Sequence, residues 1–144
     1  MRYASIAVLA IVLTACGSAP PPQVRAGDVC FRCKRVVTEA KLGVQMVTTS
    51  GQTSTFRTPG CLAKYLKDHS REAKEIYVTD YPTGEMIPVS RATFVGAKID
   101  QETGERDFYA FGNVTEAVNL AKEVTGTVVD WSAVRSMVGS QKGD

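Results

Sequence analysis

Two cysteines separated by two residues, Cys30 and Cys33, are the part of the sequence best suited to chemistry. This spacing lets both sulfur atoms face one point, which suits a disulfide, a zinc knuckle or a thiolate pair that binds Cu(I). Arg32, Lys34 and Arg35 flank the thiols, and nearby positive charge favours the thiolate, the form that binds metals and attacks disulfides. The spacing alone leaves these three chemistries open.

A third cysteine, Cys61, follows the run Thr58-Pro59-Gly60. Threonine is a favoured N-cap and proline is favoured at the first helical position, so Cys61 is predicted in the first turn of a helix. The unpaired amides and the dipole at that end of a helix stabilise a thiolate. Cysteine is also among the most often buried residues, so a purely packing role is the alternative.

The chain has four cysteines and one histidine, which favours soft-metal or redox chemistry over acid–base catalysis. His69 lies eight residues beyond Cys61, roughly 12 Å along a helix axis, too far to share a zinc ion with it. We therefore assign His69 to the end of the helix, where histidine is favoured near the last carbonyls. Met86 is a candidate thioether ligand, with ordinary hairpin packing as its alternative.

The N-terminus predicts export and lipidation. Arg2 is followed by an apolar stretch, Ile6–Leu13, that is too short to span a membrane, and then by small residues before Cys16. This pattern resembles a bacterial lipobox, so we predict a signal peptide at residues 1–15, a lipid anchor on Cys16 and a proline-rich tether at 16–27. The protein is then held in the bacterial cell envelope facing the periplasm, and Gly17 favours the outer membrane over the inner one.

The elements that must position these side chains form two similar units. Alternating apolar residues and turns predict two hairpins, at about 44–56 and 93–111, each followed by a helix. Gly51 and Gly104, like Phe56 and Tyr109, are 53 positions apart, which suggests an internal duplication. We predict an α+β fold at 28–138, with ββα halves at about 30–70 and 76–125, a short C-terminal helix and a loose tail at 139–144.

Composition excludes other classes of function. The chain has 144 residues and a net charge of +2, with no strongly basic stretch, so nucleic acid is not an expected partner. No phosphate-binding loop, nucleophile elbow or paired-carboxylate pattern is present, and the sequence gives no argument for an enzyme.

Four stretches, in this order after the lipobox, carry a family resemblance. They are Cys30-Phe31-Arg32-Cys33, Phe56-Arg57-Thr58-Pro59-Gly60-Cys61-Leu62-Ala63-Lys64-Tyr65-Leu66, Tyr77-Val78-Thr79-Asp80-Tyr81-Pro82-Thr83-Gly84-Glu85-Met86-Ile87 and Tyr109-Ala110-Phe111-Gly112. The chain resembles the NosL family, copper-binding lipoproteins that serve the assembly of nitrous oxide reductase. The resemblance implies two small ββα units and a Cu(I) chaperone with Cys30 and Cys33 as the principal ligands.

The chain departs from the family pattern near these ligands. Lys34-Arg35 stands where many members have Gly-Met, and the segment Asp100–Tyr109 lacks the methionine that many members carry there. Met86 also replaces the usual tryptophan after Thr-Gly-Glu. Either Cys61 or Met86 compensates for the missing thioether, or the metal role has changed.

We therefore predict an envelope lipoprotein that binds one Cu(I) ion through Cys30 and Cys33, with Cys61 and Met86 as further candidate ligands. Zinc is the less favoured ion. The ion would pass to an acceptor metalloprotein or its assembly machinery. The first alternative is a thiol–disulfide protein in which Cys30 and Cys33 cycle. The second is a structural or interaction lipoprotein whose CxxC forms a locked disulfide or a zinc knuckle.

Overall fold

The computed structural model describes residues 21–140, and every element below lies in that range. The predicted signal peptide and the predicted lipid-anchor residue Cys16 lie outside it, as do residues 141–144 of the predicted tail. In the described range no helix combines the length and the apolar character needed to cross a bilayer.

The first half of the chain builds a four-stranded antiparallel sheet around one helix. Strands β1 (Val44–Thr48) and β2 (Thr53–Phe56) form the predicted hairpin, and helix α1 (Pro59–His69) begins at its predicted proline. Strands β3 (Ala73–Thr79) and β4 (Met86–Pro88) follow, and the order in the sheet is β2-β1-β3-β4. This arrangement leaves β2 and β4 at opposite edges.

The second half repeats the plan in a three-stranded sheet. Strands β5 (Thr93–Lys98) and β6 (Arg106–Phe111) pair, helix α2 (Val114–Val124) follows, and β7 (Thr127–Val129) returns to β5. Helix α3 (Trp131–Ser140) ends the described chain. The α+β class is therefore confirmed.

Both predicted ββα units, at about 30–70 and 76–125, are present, and each is extended by a strand after the helix, so the repeating unit is ββαβ. In each half the strand after the helix pairs with the free edge of the first strand, so β3 and β4 belong to the first sheet. The turn glycines Gly51 and Gly104 both have positive φ and keep the offset of 53. The helix N-caps Thr58 and Asn113 are 55 apart, because β6 has six residues where β2 has four.

The two halves share one core. Its largest fully buried side chains include Phe56 and Met46 from the first half and Phe94 and Val134 from the second. Cys30 and Cys61 lie in the same buried cluster. The halves are also joined by the backbone, since the Tyr81 amide donates to the carbonyl oxygen of Ala110 at 2.8 Å.

The ends of the fold differ from their predicted bounds. Val24 belongs to the predicted tether at 16–27, but it is buried against Gly43. A Cβ added at Gly43 would lie only 2.4 Å from Cγ1 of Val24. The Gly27 amide donates to the Val37 carbonyl at 2.9 Å, so the fold begins before residue 28. At the other end, α3 runs to Ser140, two residues beyond the predicted domain limit.

Candidate metal centre

The CxxC motif lies on a tight hairpin that is docked on the edge of the first sheet. Val29 and Val36 form an antiparallel bridge, and the Cys30 amide donates to the Arg35 carbonyl at 2.9 Å. The Phe31 amide donates to the carbonyl of Thr55 in β2 at 2.7 Å. This geometry turns Cys30 into the core, where it is fully buried, and leaves Cys33 partly exposed.

The first turn of α1 supplies the third sulfur. The Thr58 hydroxyl accepts a hydrogen bond from the Cys61 amide at 3.1 Å, which is the predicted N-cap. Asp107 of β6 accepts from the Thr58 hydroxyl at 2.6 Å and from the Gly60 amide at 2.8 Å. A side chain at Gly60 would collide with that carboxylate, since an added Cβ would lie 2.7 Å from its Oδ2. The second half of the protein therefore holds the turn that carries Cys61.

The sulfur atoms of Cys30, Cys33 and Cys61 all lie within 4.8 Å of one another. Sulfurs that bind one ion at about 2.3 Å stand roughly 4 Å apart, so the three are close to the spacing of a shared ion. Within residues 21–140 this is the one group of three or more cysteine, histidine or acidic side chains placed to hold a metal. All three are free thiols in the structure, with no bond between Cys30 and Cys33.

The buried sulfur pair is electrostatically asymmetric. The sulfurs of Cys30 and Cys61 share a hydrogen bond of 3.3 Å, and this bond, with the backbone amides of Cys33 and Arg57, lowers the pKa of Cys30 to about 4 against the opposing effect of burial. The same hydrogen bond, burial and the negative charge of Cys30 raise the pKa of Cys61. At neutral pH the pair therefore holds one thiolate and one proton.

A partly buried cation, Arg57, lies beside the sulfurs. The Arg57 side chain forms an ion pair with Glu105 at the start of the β6 hairpin, and Arg35 lies 3.7 Å from the same carboxylate. Burial opposes the charge of Arg57, but Glu105, Asp107 and Cys33 together raise its pKa. Burial likewise raises the pKa of Asp107 despite its three hydrogen-bond donors. A fixed guanidinium is therefore available to offset the negative charge of a thiolate–metal complex.

The other candidate residues lie elsewhere. His69 is exposed in the last turn of α1, stacked on Tyr65 with ring centroids 4.3 Å apart and 3.0 Å from Glu72. Met86 starts β4, at the edge of the sheet opposite β2, three strand spacings or about 14 Å away. Its sulfur accepts a hydrogen bond from Thr79 at 3.4 Å. The structure therefore does not bring Met86 to the cysteines, and packing in the β3–β4 pair accounts for it.

Sequence reasoning missed the residues that support the three sulfurs. Arg57, Glu105 and Asp107 belong to different halves of the chain, and their meeting depends on how the sheets pack. The available local signal was an acidic residue, Asp107, next to the apolar run of a predicted strand. A carboxylate in such a position is expected to need hydrogen-bond or ion-pair partners, but the sequence does not show which residues supply them.

The chain thus combines a two-sheet α+β fold with three convergent thiols that could hold a soft metal ion. The sequence model of the NosL family matches residues 21–138, and the chain belongs to this family. Its fold is similar to the crystal structure of the copper chaperone NosL from Shewanella denitrificans, with a TM-score of 0.61 and 19% sequence identity. That match covers 78% of this chain and 96% of the other. No curated protein matches the sequence.

Proposed function

We propose that this protein binds one Cu(I) ion through Cys30, Cys33 and Cys61 and passes it to another protein. The observation that carries the proposal is the approach of the three sulfur atoms to within 4.8 Å of one another. Membership of the NosL family and the fold shared with a protein described as a copper chaperone support copper as the ion.

The donor set favours Cu(I) over zinc. Cu(I) is a soft ion that thiolates select, whereas structural zinc sites are closed by four ligands. Within residues 21–140 no histidine or carboxylate joins the three sulfurs. A three-sulfur site leaves one side of the ion open to an incoming ligand, which a protein that must release its metal requires.

The proposed setting follows from the sequence. We place the protein in the bacterial envelope, anchored by lipid on Cys16 and facing the periplasm, with the outer membrane as the favoured location. The acceptor would be a metalloprotein or its assembly machinery, and the family resemblance suggests nitrous oxide reductase. The role is binding and transfer rather than catalysis, and neither nucleic acid nor a second metal is part of it.

One feature favours a second function, thiol–disulfide exchange. Cys30 and Cys61 are 3.3 Å apart, and a lowered pKa makes the Cys30 sulfur a thiolate that can attack disulfides. The cycling pair would then be Cys30 and Cys61 rather than the two cysteines of the CxxC. This function needs no metal, so metal affinity separates it from the first.

The test is an anaerobic competition titration of the reduced full chain with a chromogenic Cu(I) chelator, with zinc in parallel. Cys16→Ser is present in every sample, so that no lipid is attached. We expect one equivalent of Cu(I), bound far more tightly than zinc, and loss of tight binding in Cys30→Ser, Cys33→Ser and Cys61→Ser. Circular dichroism of each variant checks that the fold survives. Wild-type affinity in any of the three variants, or zinc affinity equal to that for Cu(I), would contradict the proposal.

A further inference from the structure

The CxxC hairpin exposes an apolar surface around the partly exposed residue Cys33. Seven large hydrophobic side chains are strongly exposed in the described chain, and three of them fall within residues 29–36. Val29 is 55% exposed, Phe31 45% and Val36 52%. Clustered exposure of this kind marks an interaction site, whereas single exposed hydrophobic residues are ordinary.

The same hairpin is strongly basic. Arg32, Lys34 and Arg35 are exposed, and residues 29–36 contain no acidic side chain. Three acidic groups lie at the margin of this hairpin: Glu105 is 3.7 Å from Arg35, Asp100 interacts with the charge of Arg35, and Asp28 precedes Val29. We call this surface, made of Val29, Phe31, Val36 and the three basic residues, the CxxC face.

Two side chains of the CxxC face, Phe31 and Lys34, are held in place by their neighbours. The ring of Phe31 packs edge-on against Phe56 and Tyr65, with centroids 6.0 Å and 5.6 Å away. Lys34 donates to the Phe31 carbonyl at 2.6 Å, and its ammonium group lies 4.9 Å from the centre of the Phe31 ring. A surface whose side chains are already fixed loses little conformational entropy when it is covered.

The burial of Cys30 and Cys61 leaves the side of Cys33 as the direction from which a ligand can approach the three sulfurs. Cys30 is fully buried and Cys61 is 7% exposed, so Cys33 is the ligand that an incoming group reaches first. Cys33 is also part of the hairpin that carries the exposed apolar and basic side chains. A molecule that takes the metal must therefore cover the CxxC face.

We propose that the CxxC face is the docking surface for an acidic patch on a partner protein that carries a thiolate, thioether or imidazole ligand. This inference rests on the proposed copper function. The partner's ligand forms a bond to Cu(I), the bond from copper to the Cys33 sulfur breaks, and Cys33 leaves as a thiolate. Copper stays in the +1 state, and the buried Cys30 and Cys61 are released last.

A protein fits this surface better than a membrane does. Anionic lipid headgroups also match basic and apolar side chains, but a bilayer offers no soft ligand and would cover the path to Cys33. Phe31 is held by two neighbouring rings instead of being free to insert into lipid. A protein can offer acidic side chains, which complement the basic residues of the CxxC face, around a soft ligand that can bind Cu(I).

The test measures Cu(I) transfer from the loaded full chain, with Cys16→Ser, to two synthetic peptides. Both peptides carry the same pair of methionines, flanked by glutamates in one and by lysines in the other. We expect transfer to the acidic peptide to be about tenfold faster or more at low salt, with the advantage falling as salt rises. Arg32→Glu should remove the advantage, and Lys122→Glu on exposed α2 is the matched control that should keep it.

Equilibrium Cu(I) affinity is measured first for each variant, so a failed copper site is distinguished from a failed docking surface. If no Cu(I) binds, amide chemical shifts of the metal-free protein titrated with the acidic peptide still test the surface, and residues 29–36 should move. Equal transfer rates to the two peptides, or an unchanged rate in Arg32→Glu, would overturn the proposal. Transfer blocked by phosphatidylglycerol vesicles, with no dependence on peptide charge, would assign the surface to a membrane and overturn it as well.

Discussion

The sulfur atoms of Cys30 and Cys61 lie 3.3 Å apart although the residues are separated by 31 positions in the chain. Cys30 is placed by a hairpin docked on β2, and Cys61 is placed by the capped first turn of α1. The hairpin and the helix turn form independently of each other, yet they bring their two sulfur atoms together. Cys33, also on the hairpin, is the third sulfur of this group. A Cu(I) site built from three sulfur atoms requires this convergence.

The Cys30–Cys61 pair should hold one thiolate at neutral pH. Because the pKa of Cys30 is lowered to about 4, the thiolate absorbance of the reduced, metal-free protein should persist at pH 6 and disappear as the pH falls through 4. Cys30→Ser should abolish that absorbance, since Cys30 carries the thiolate and the buried Cys61 that remains keeps its proton. Ultraviolet titration of the two proteins measures both effects, and an absorbance that appears only above pH 8 would contradict the assignment.

The same pair should make folding stability depend on pH. A lowered pKa for Cys30 favours the folded state increasingly as pH rises from about 4 towards the ordinary cysteine value of 9.0, and the benefit is lost as pH falls. The raised pKa of Cys61 acts in the opposite direction, but only above that ordinary value. Urea unfolding at pH 5 and 8 should show a larger gain at pH 8 for the wild type than for Cys30→Ser. An equal gain in both proteins would exclude this linkage.

Asp107 should position Cys61 without touching the metal. Its carboxylate accepts hydrogen bonds from Thr58, Gly60 and Phe108, which fix the first turn of α1. Asp107→Asn removes part of this acceptor capacity, so Cu(I) affinity should fall by about 10–100-fold, the usual effect of losing an outer-shell partner. Asp100→Asn is the control, because the hydrogen bonds of Asp100 go to its own turn, at Glu102 and Thr103, and not to the first turn of α1. Equal affinities of the two variants would refute the role.

Met86 should be dispensable for copper. Its place in β4, about 14 Å across the sheet from β2, puts it beyond the reach of an ion held by the cysteines. Met86→Leu keeps the volume and apolar character of the side chain and removes only the sulfur. We expect an unchanged Cu(I) affinity in the chelator competition, and a tenfold loss would restore Met86 as a ligand.

Val24 should stabilise the fold from within the segment predicted as a tether. It is 6% exposed and covers Gly43, so Val24→Ala should lower the free energy of unfolding by about 2 kcal/mol. Val114→Ala removes the same atoms from a side chain that is 58% exposed and should change stability little. Urea unfolding of the pair makes the comparison, and equal losses would show that Val24 does not pack as described.

Much of the fold could be predicted from signals between residues that are neighbours in the sequence. The turn at Gly51, the cap at Thr58 and the proline at 59 act through neighbouring residues, so sequence alone predicted the first hairpin and α1. Strand pairing across the chain has no such signal, which is why the return of β3 to β1 was missed. The Val24 contact was hidden for the same reason, since proline-rich composition predicts a spacer and says nothing about its last residues.

The candidate site also has a part that could be predicted from local sequence and a part that could not. Cys30 and Cys33 were recognisable from spacing, and Cys61 from its place after a helix cap, because those features are local. The contacts that make the site, Asp107 to Thr58 and Arg57 to Glu105, cross between the halves. Met86 was a candidate ligand because its chemistry suits copper, whereas its place in the sheet is set by strand pairing with Thr79, which local sequence does not reveal.

The most direct test of the central claim is X-ray absorption spectroscopy of the full chain, with Cys16→Ser, loaded with one equivalent of Cu(I). We predict a first shell of three sulfur atoms with no nitrogen or oxygen, and two sulfurs in Cys61→Ser. A wild-type shell with fewer than three sulfurs, or an unchanged sulfur count in Cys61→Ser, would contradict the account.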